Sequence, residues 1–146
     1  MVSCQTSKVP VRAADIDPGR VRARFPGVAV VRFDFTDPTT WAGAFDGVGV
    51  MFLMRPPQIS DVRRYLFPVV DAAKAAGVEQ IVFLSLIGIE QNRQVPHYKV
   101  EQYLRASGMA WTFLRASFFM QNLSTTHRAE IRERNELFVP VGHGKT

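Results

Sequence analysis

A serine, a histidine and a glutamate occupy positions from which they could act on one bound molecule. Ser85 directly follows the apolar run at 81–84, and His97 and Glu101 are four residues apart, so they share one helix face. A helix amino terminus disfavours positive charge, so a neutral His97 could donate a hydrogen bond to a substrate or ribose hydroxyl. The alternative is that His97 is a solvent-exposed helix residue and Glu101 stabilises the first turn.

The elements that must position these side chains alternate between strand and helix patterns. The strand patterns, mostly continuous apolar runs, lie at 10–14, 28–33, 48–54, 81–85, 111–115 and 137–141. Helical spacing is found at 20–25, 41–45, 60–76, 97–107 and 123–134. Pro68 should bend the third of these helices, and Ser60 could cap it. The alternation predicts an α/β fold with a doubly wound parallel sheet.

Polar residues stand at the ends of the predicted strands. In a parallel sheet these ends meet at one edge, where ligands bind. The residues predicted to converge there are Asp34, Arg55, Ser85, Arg115 and Ser117.

The usual phosphate-binding and catalytic motifs of such sheets are not found. The first glycine is Gly19, so no Gly-x-Gly-x-x-Gly follows a first strand. The sequence at 142–146 resembles the end of a phosphate loop, but Val139 stands where that motif needs its first glycine. Neither Tyr98 nor Tyr103 has a lysine four residues later, so the Tyr-x-x-x-Lys pair of short-chain dehydrogenases is missing.

Length and composition exclude several classes of protein. The 146 residues, 47% hydrophobic, suit a single domain over 1–146 with a real core. The net charge is +5, but the lysines and arginines are spread along the chain and interleaved with acidic residues. We therefore predict no nucleic-acid partner. No apolar run approaches the roughly 20 residues that cross a bilayer, and no signal peptide pattern begins the chain, so we expect no membrane association and a cytoplasmic protein.

Cysteine and histidine usage predicts neither a disulfide nor a metal site. Cys4 is the single cysteine, so it has no partner within the chain. His97, Glu101, His127 and Cys4 lack the spacing of a metal motif.

Four longer stretches share their order and spacing with one known family. They are VRFDFTDPTTWAGAFDGV, MFLMRPP, VVDAAKAAGVEQIVFLSLIG and PHYKVEQYLRASGMAWTFLRASFFMQN. From about Val11 onward the chain resembles the NmrA-like family, atypical relatives of the short-chain dehydrogenases that include NAD(P)H-dependent reductases and non-catalytic redox sensors.

The resemblance implies a partial Rossmann-like fold. The family's second to sixth strands are represented, whereas its first strand with the Gly-x-x-Gly-x-x-Gly loop is missing, which would leave a gap between neighbouring strands. The cofactor implied is NADP or NAD, but Ile16 stands where many members carry an arginine for the 2′-phosphate of NADP. Ala116 replaces the family's usual proline after Leu-Arg. We therefore expect a member truncated at both ends, with weak or absent dinucleotide affinity.

The resemblance also implies a role for particular residues. The cofactor contacts would be Asp34 and Phe35 at the adenine, Met54, Arg55 and Pro56 at the adenosine ribose, and Ser85, Leu86, Phe118 and Phe119 at the nicotinamide. Met120 and Asn122 would shape the substrate pocket. Ser85 and His97 are the predicted catalytic hydrogen-bond donors.

The predicted function is that of an NAD(P)-binding, oxidoreductase-type protein acting on a small molecule. The alternative is a non-catalytic redox-sensing or protein-interaction module of the same fold, and a gene fragment without independent activity is a third reading. A homodimer or a protein partner stays open.

Overall fold

The computed structural model describes residues 9–117 and 119–137 of the chain. Five strands are present there: β1 Arg12–Asp15, β2 Ala29–Arg32, β3 Val50–Leu53, β4 Gln80–Leu86 and β5 Ala110–Ala116. The α-helices are α1 Pro18–Arg24, α2 Trp41–Phe45, α3 Val62–Tyr65, α4 Phe67–Ala75, α5 Pro96–Ala106, α6 Gln121–Ser124 and α7 Arg128–Arg134. Short 3-10 turns cover Pro38–Thr40 and Ile89–Gln91.

The long helix predicted at 60–76 is two helices. The break falls at Leu66, between α3 and α4, because Pro68 has no N–H to continue the hydrogen-bond ladder and its ring clashes with the preceding turn. The cap is also different from the predicted Ser60: the Asp61 side chain accepts a hydrogen bond from the backbone N–H of Arg64 at 3.1 Å. α4 therefore begins at Phe67 with the proline at its second position, where no helical N–H is needed, rather than continuing α3 as one bent helix.

The carboxyl-terminal elements differ from the prediction as well. The single helix predicted at 123–134 is divided into α6 and α7, because the hydroxyls of Ser124 and Thr125 donate back to the carbonyl of Gln121 and end the first helix. Leu137, where a last strand was predicted to begin, has no regular structure. The rest of that segment, Cys4 and the sequence at 142–146 lie outside the described residues.

The strands form two parallel sheets instead of one. β1 pairs with β2, and β3, β4 and β5 form a second sheet in that order. This confirms the parallel α/β fold, and it confirms the expected gap, because no pairing joins β1 to β3 within the described residues.

Contacts across the gap hold the two sheets together. The guanidinium of Arg12, at the start of β1, donates to the carbonyl of Gly43 within α2 at 3.2 Å and to that of Asp46, which follows α2 and precedes β3, at 3.0 Å. The two strands thus begin at the same end of the molecule. Phe33 and Phe35, which follow β2, pack against the main core.

The core lies between the three-stranded sheet and the helices on one of its faces. Its fully buried side chains come from the α3–α4 region, from α5 and from β4. They are Leu66, Val69, Val70 and Ala73, then Val100 and Leu104, then Ile81 and Phe83. No helix in the described part of the chain is both long and apolar enough to cross a membrane.

Candidate functional site

A cleft of about 820 Å³ separates β1 from β3, and it is lined along both strands and by the loops that follow β2 and β3. Its volume falls within the usual range for small-molecule sites. Four of the residues predicted to bind a cofactor line it: Asp34, Phe35, Met54 and Pro56. The structure therefore brings together side chains from the ends of β2 and β3, although they are about 20 positions apart in the sequence.

Asp34 shapes the loop that follows β2. Its Oδ1 accepts hydrogen bonds from the backbone N–H of Thr36 at 2.8 Å and from the Thr36 hydroxyl at 2.7 Å. These bonds, helped by the charge of Arg32, hold the pKa of Asp34 below its ordinary value against a smaller opposing effect of burial. The carbonyl of Asp34 also accepts from Trp41 Nε1 at 2.7 Å. The loop is thus fixed, and it presents Phe35 to the cleft.

Arg55 fixes the loop that follows β3. Its Nη1 donates to the carbonyls of Pro56 at 3.0 Å, Pro57 at 3.2 Å and Ile59 at 2.6 Å. Burial lowers the pKa of Arg55 from its ordinary value. The side chain predicted to border a ribose therefore clamps its own loop, and Met54 and Pro56 are the residues of this segment that line the cleft.

Ser85 belongs to a buried polar network under α5. Its hydroxyl donates to Glu101 Oε1 at 2.6 Å, and Arg115 holds the same carboxylate through Nε at 3.1 Å and Nη2 at 2.8 Å. Ser85 is 0% exposed and Glu101 1% exposed. Since its one hydrogen is donated to Glu101, Ser85 presents no donor to a ligand in this arrangement.

Glu101 is charged within this network. Burial would raise the pKa of the carboxyl, but the hydrogen bonds from Arg115 and Ser85 and the charges of Arg115 and Arg105 outweigh burial and lower it. Arg105 Nη2 lies 3.9 Å from Glu101 Oε2, and Arg115 Nη1 also pairs with the exposed Glu90 at 3.3 Å. A fully paired buried carboxylate of this kind fixes α5 against the sheet.

His97 lies in the first turn of α5, beside the network. Its ring is tilted against Phe83 with 5.8 Å between centroids, and its pKa is lowered by burial and by the charge of Arg55, with Glu101 opposing. Among the described residues, His97 Nδ1 and Arg55 Nε are buried atoms without a hydrogen-bond partner. His97 is thus half-buried and not a solvent-exposed helix residue, it is not among the cleft-lining residues, and its catalytic role stays a prediction.

Other predicted residues lie outside the cleft. Leu86 ends β4, and Phe119, Met120 and Asn122 lie in or next to α6; none of them is a cleft-lining residue. Met120 is 71% exposed. Phe118 lies outside the described residues. Their roles in nicotinamide and substrate binding stay predictions.

Sequence reasoning missed the pairing of Glu101 with Ser85 and Arg115. Helical spacing related Glu101 to His97, yet both carboxylate oxygens are taken by partners from the sheet. One signal could have found this arrangement. Ser85 and Arg115 are direct partners across β4 and β5, so a carboxylate on the covering helix is needed to balance the arginine. Asp15 and Ile16, at the end of β1, also line the cleft.

These two groups of residues suit different tasks. The cleft is lined by the apolar residues Phe35, Met54 and Pro56 together with Asp34. The network under α5 carries charge but is closed to ligands. No cluster of His, Cys, Asp and Glu suited to a metal ion occurs in the described part of the chain.

Comparisons with known proteins agree with this geometry. A family model described as the NmrA-like family matches residues 6–139. An NAD(P)H azoreductase of Xenophilus azovorans is 35% identical in an alignment 146 residues long that covers 97% of this chain and 50% of that protein.

Solved structures show the same fold. An Escherichia coli NADPH-dependent quinone oxidoreductase complexed with NADPH superposes with a TM-score of 0.74 at 25% identity, covering 87% of this chain and 47% of that one. A Citrobacter sp. triphenylmethane reductase complexed with NADP(H) has a TM-score of 0.72 at 22% identity, over 84% and 45% of the two chains. The chain spans about half the length of these relatives.

Proposed function

Because this chain belongs to the NmrA-like family, we propose that the cleft between β1 and β3 binds the adenosine part of a nicotinamide dinucleotide, NADP or NAD, for an oxidoreductase reaction. One observation carries the proposal. Asp34 and Phe35 from one strand end, and Met54 and Pro56 from another, line a single cleft at the carboxyl edge of parallel strands. That edge is where open α/β sheets bind their ligands.

The lining of the cleft fits a flat, mostly apolar base. The ring of Phe35 meets Phe33 edge-on at 4.9 Å between centroids, which fixes its orientation, and Met54 offers a polarisable side chain that is 58% exposed. Asp34 could accept hydrogen bonds from a ribose or base, since its low pKa keeps it ionised at neutral pH. Adenine would lie between these side chains.

The cleft offers fewer contacts to the pyrophosphate than to the adenosine. None of the cleft-lining residues is a glycine, so the described chain offers no turn that lets backbone N–H groups approach the phosphates closely. We therefore propose that the chain of 146 residues binds the dinucleotide weakly. The azoreductase relative is named for NAD(P)H, but this chain covers only 50% of that protein.

The nicotinamide end would lie towards His97. A bound nicotinamide supplies hydride chemistry, and the protein orients the reacting groups. Because the pKa of His97 is lowered, the ring is neutral at pH 7 and can donate one hydrogen bond to a substrate oxygen. Ser85 would act through Glu101 and Arg115, by fixing the start of α5. Leu86, Phe119, Met120 and Asn122 would complete the pocket for the nicotinamide and a small substrate.

Calorimetric titration of NADH and NADPH into the purified chain tests this proposal. We expect saturable binding with a dissociation constant above the micromolar range, weakened about tenfold by Phe35→Ala and unchanged by Phe25→Ala on the exposed end of α1. Micromolar or tighter binding would refute the proposal that this chain binds the dinucleotide weakly. Absence of binding at millimolar cofactor, or equal effects of the two substitutions, would refute the adenosine site.

A non-catalytic sensor or interaction module is the second candidate function. It is favoured by the exposure of three apolar residues, Val50 and Phe52 on β3 and Met54 directly after it, each of which is 58% exposed. Turnover with a quinone acceptor that is lost in His97→Ala would support the enzyme. Cofactor binding without any turnover would support the sensor.

A further inference from the structure

The charges of the cleft are divided between the two ends of its strands. Among the described residues that line it, the charged ones are Arg12, Asp15 and Asp34. Arg12 lies at the start of β1 and donates to the carbonyls of Gly43 and Asp46. Asp15 ends β1, and Asp34 follows β2. The carboxyl ends of these strands therefore bring two carboxylates to the cleft and, among its described lining residues, no cation.

The register of the first sheet brings the two carboxylates to neighbouring strand ends. β1 and β2 are parallel, and the backbone N–H of Phe33 donates to the carbonyl of Asp15 at 3.0 Å. Asp34 is the next residue after Phe33. Because the side chains of both aspartates line the cleft, a ligand bound at this end meets both of them.

Two arginines pair with acids in this region, but neither of them lines the cleft. Arg20 of α1 lies 3.3 Å from Asp15 Oδ1, and Arg32 of β2 lies 3.8 Å from Asp37 Oδ2. The arginine side chains are 69% and 60% exposed, so solvent and salt screen their charges. They offset only part of the negative charge at the cleft.

The Asp15 carboxylate can still accept hydrogen bonds from a ligand. Its Oδ1 accepts from the backbone N–H of Asp17 at 2.8 Å, whereas Oδ2 has only a 3.4 Å contact to Arg20 Nη2. An ionised carboxylate has about four acceptor positions. A sugar hydroxyl could donate to one of these positions. A phosphate monoester has almost no proton to donate at neutral pH, and it brings about 1.5 to 2 negative charges.

We propose that Asp15 makes the cleft selective for NADH over NADPH, by accepting a hydrogen bond from the 2′-hydroxyl of the adenosine ribose and by repelling a 2′-phosphate. The inference rests on the proposed adenosine site and adds which dinucleotide that site takes. Asp34 adds to the repulsion. Ile16, beside Asp15 in the cleft lining, has a side chain without a hydrogen-bond donor for a phosphate.

This preference would distinguish the chain from its structural neighbours. The quinone oxidoreductase and the triphenylmethane reductase are complexed with NADPH and NADP(H) respectively. Arg20 is the group that could reverse the preference, because its exposed guanidinium could turn towards a 2′-phosphate. That turn would break its contact with Asp15 and leave the carboxylate without its cation, so the geometry favours the hydroxyl.

Two nucleotides that differ only at the ribose 2′ position test the proposal. Adenosine 5′-phosphate and adenosine 2′,5′-bisphosphate are titrated into the full chain at neutral pH, and the amide chemical shifts of the cleft residues give the dissociation constants. We expect the 5′-phosphate to bind about tenfold more tightly, because the additional phosphate meets like charges at short range. High salt should reduce this ratio, since ions screen the repulsion.

Two variants that each remove one negative charge locate the discrimination. Asp15→Asn keeps an oxygen for the N–H of Asp17, and it should lower the affinity ratio severalfold, mainly through tighter binding of the bisphosphate. Asp17→Asn removes the same charge from the cap of α1, where asparagine serves as well, and it should leave the ratio nearly unchanged. Circular dichroism verifies that both variants fold.

The outcomes separate this inference from the proposed function. Equal binding of the two nucleotides, or tighter binding of the bisphosphate, would overturn the selectivity and leave the adenosine site standing. An unchanged ratio in Asp15→Asn, or an equal fall in Asp17→Asn, would also overturn the role of Asp15. If neither nucleotide binds at millimolar concentration, the adenosine site itself is refuted, and the inference falls with it.

Discussion

The two faces of the β3–β4–β5 sheet have the same kind of residues and opposite surroundings. Phe83 and Phe52 lie in adjacent strands, yet Phe83 is 0% exposed against the helices and Phe52 is 58% exposed on the opposite face, here called the open face. Burial of apolar area is the main source of folding free energy. The comparison teaches that the helix-covered face supplies the stability of this chain, whereas the open face and the cleft are available for binding.

The polar residues divide in the same way. On the covered face Glu101 is buried and fully paired with Ser85 and Arg115. Asp34 lines the cleft, and its carboxylate accepts hydrogen bonds only from Thr36 of its own loop. The closed network around Glu101 is suited to holding α5 in place. The carboxylate of Asp34, beside the cleft, is suited to recognising a ligand.

The largest difference is expected between two phenylalanine truncations. Phe83→Ala should lower the free energy of unfolding by about 3–5 kcal/mol, because it leaves a cavity in the core. Phe52→Ala should lower it by less than about 1 kcal/mol, since the ring is largely solvated already. Urea unfolding of both variants measures the contrast. Equal losses would mean that the two faces are equally covered.

The second contrast uses two carboxylates that share one arginine. Glu101→Gln should cost about 2–3 kcal/mol, because it weakens charge-assisted hydrogen bonds of a buried group. Glu90→Gln removes the exposed partner of Arg115 and should cost about 0–1 kcal/mol. Thermal unfolding of the two variants measures the difference in stability. A larger loss of stability in Glu90→Gln than in Glu101→Gln would contradict the assigned network.

A smaller effect is expected between the two covering helices. Tyr103 donates to Asp71 at 2.7 Å, and this hydrogen bond, with burial and the Asp71 charge, raises the pKa of Tyr103 to about 12. The stabilisation should be full below the ordinary tyrosine pKa of 10.0 and be lost as pH rises through 12. Tyr103→Phe should cost about 1 kcal/mol at pH 7. A difference that persists unchanged above pH 12 would disprove the assignment.

The smallest effect belongs to His97, at the boundary between the two regions. Burial and Arg55 lower its pKa below 6.5, so the unfolded chain takes up a proton at a higher pH than the folded chain does. Stability should therefore fall as pH drops below 6.5. Denaturant midpoints of His97→Gln measured across this range should show a flatter decline than wild type. An identical slope in both proteins would mean that His97 does not contribute.

Much of the fold follows from local sequence. Continuous apolar runs located β3, β4 and β5 to within two residues, because a strand buried in a parallel sheet leaves a strong compositional signal. The break before α4 was missed because a proline early in a helix and a proline inside one look alike until the preceding turn is known. The open face was also invisible, since Phe52 and Phe83 have the same residue type and similar neighbours in sequence.

The site was predictable only in part. The strand-end argument predicted Asp34 at the shared edge, and the family resemblance added Phe35, Met54 and Pro56, which line the same cleft. The partner of Ser85 was not predictable from helical spacing, since it depends on which face of α5 meets the sheet. Arg55 was expected at a ribose, and in the structure its guanidinium donates to carbonyls of its own loop, which local sequence did not indicate.

Amide chemical shifts recorded during an NADH titration test the central claim most directly. The account predicts saturable shifts at Asp34, Phe35 and Met54, which line the cleft, and at most small shifts at Val69 and Leu104 in the covered core. Shifts confined to the helix-covered side, or none at the cleft with millimolar cofactor, would contradict it.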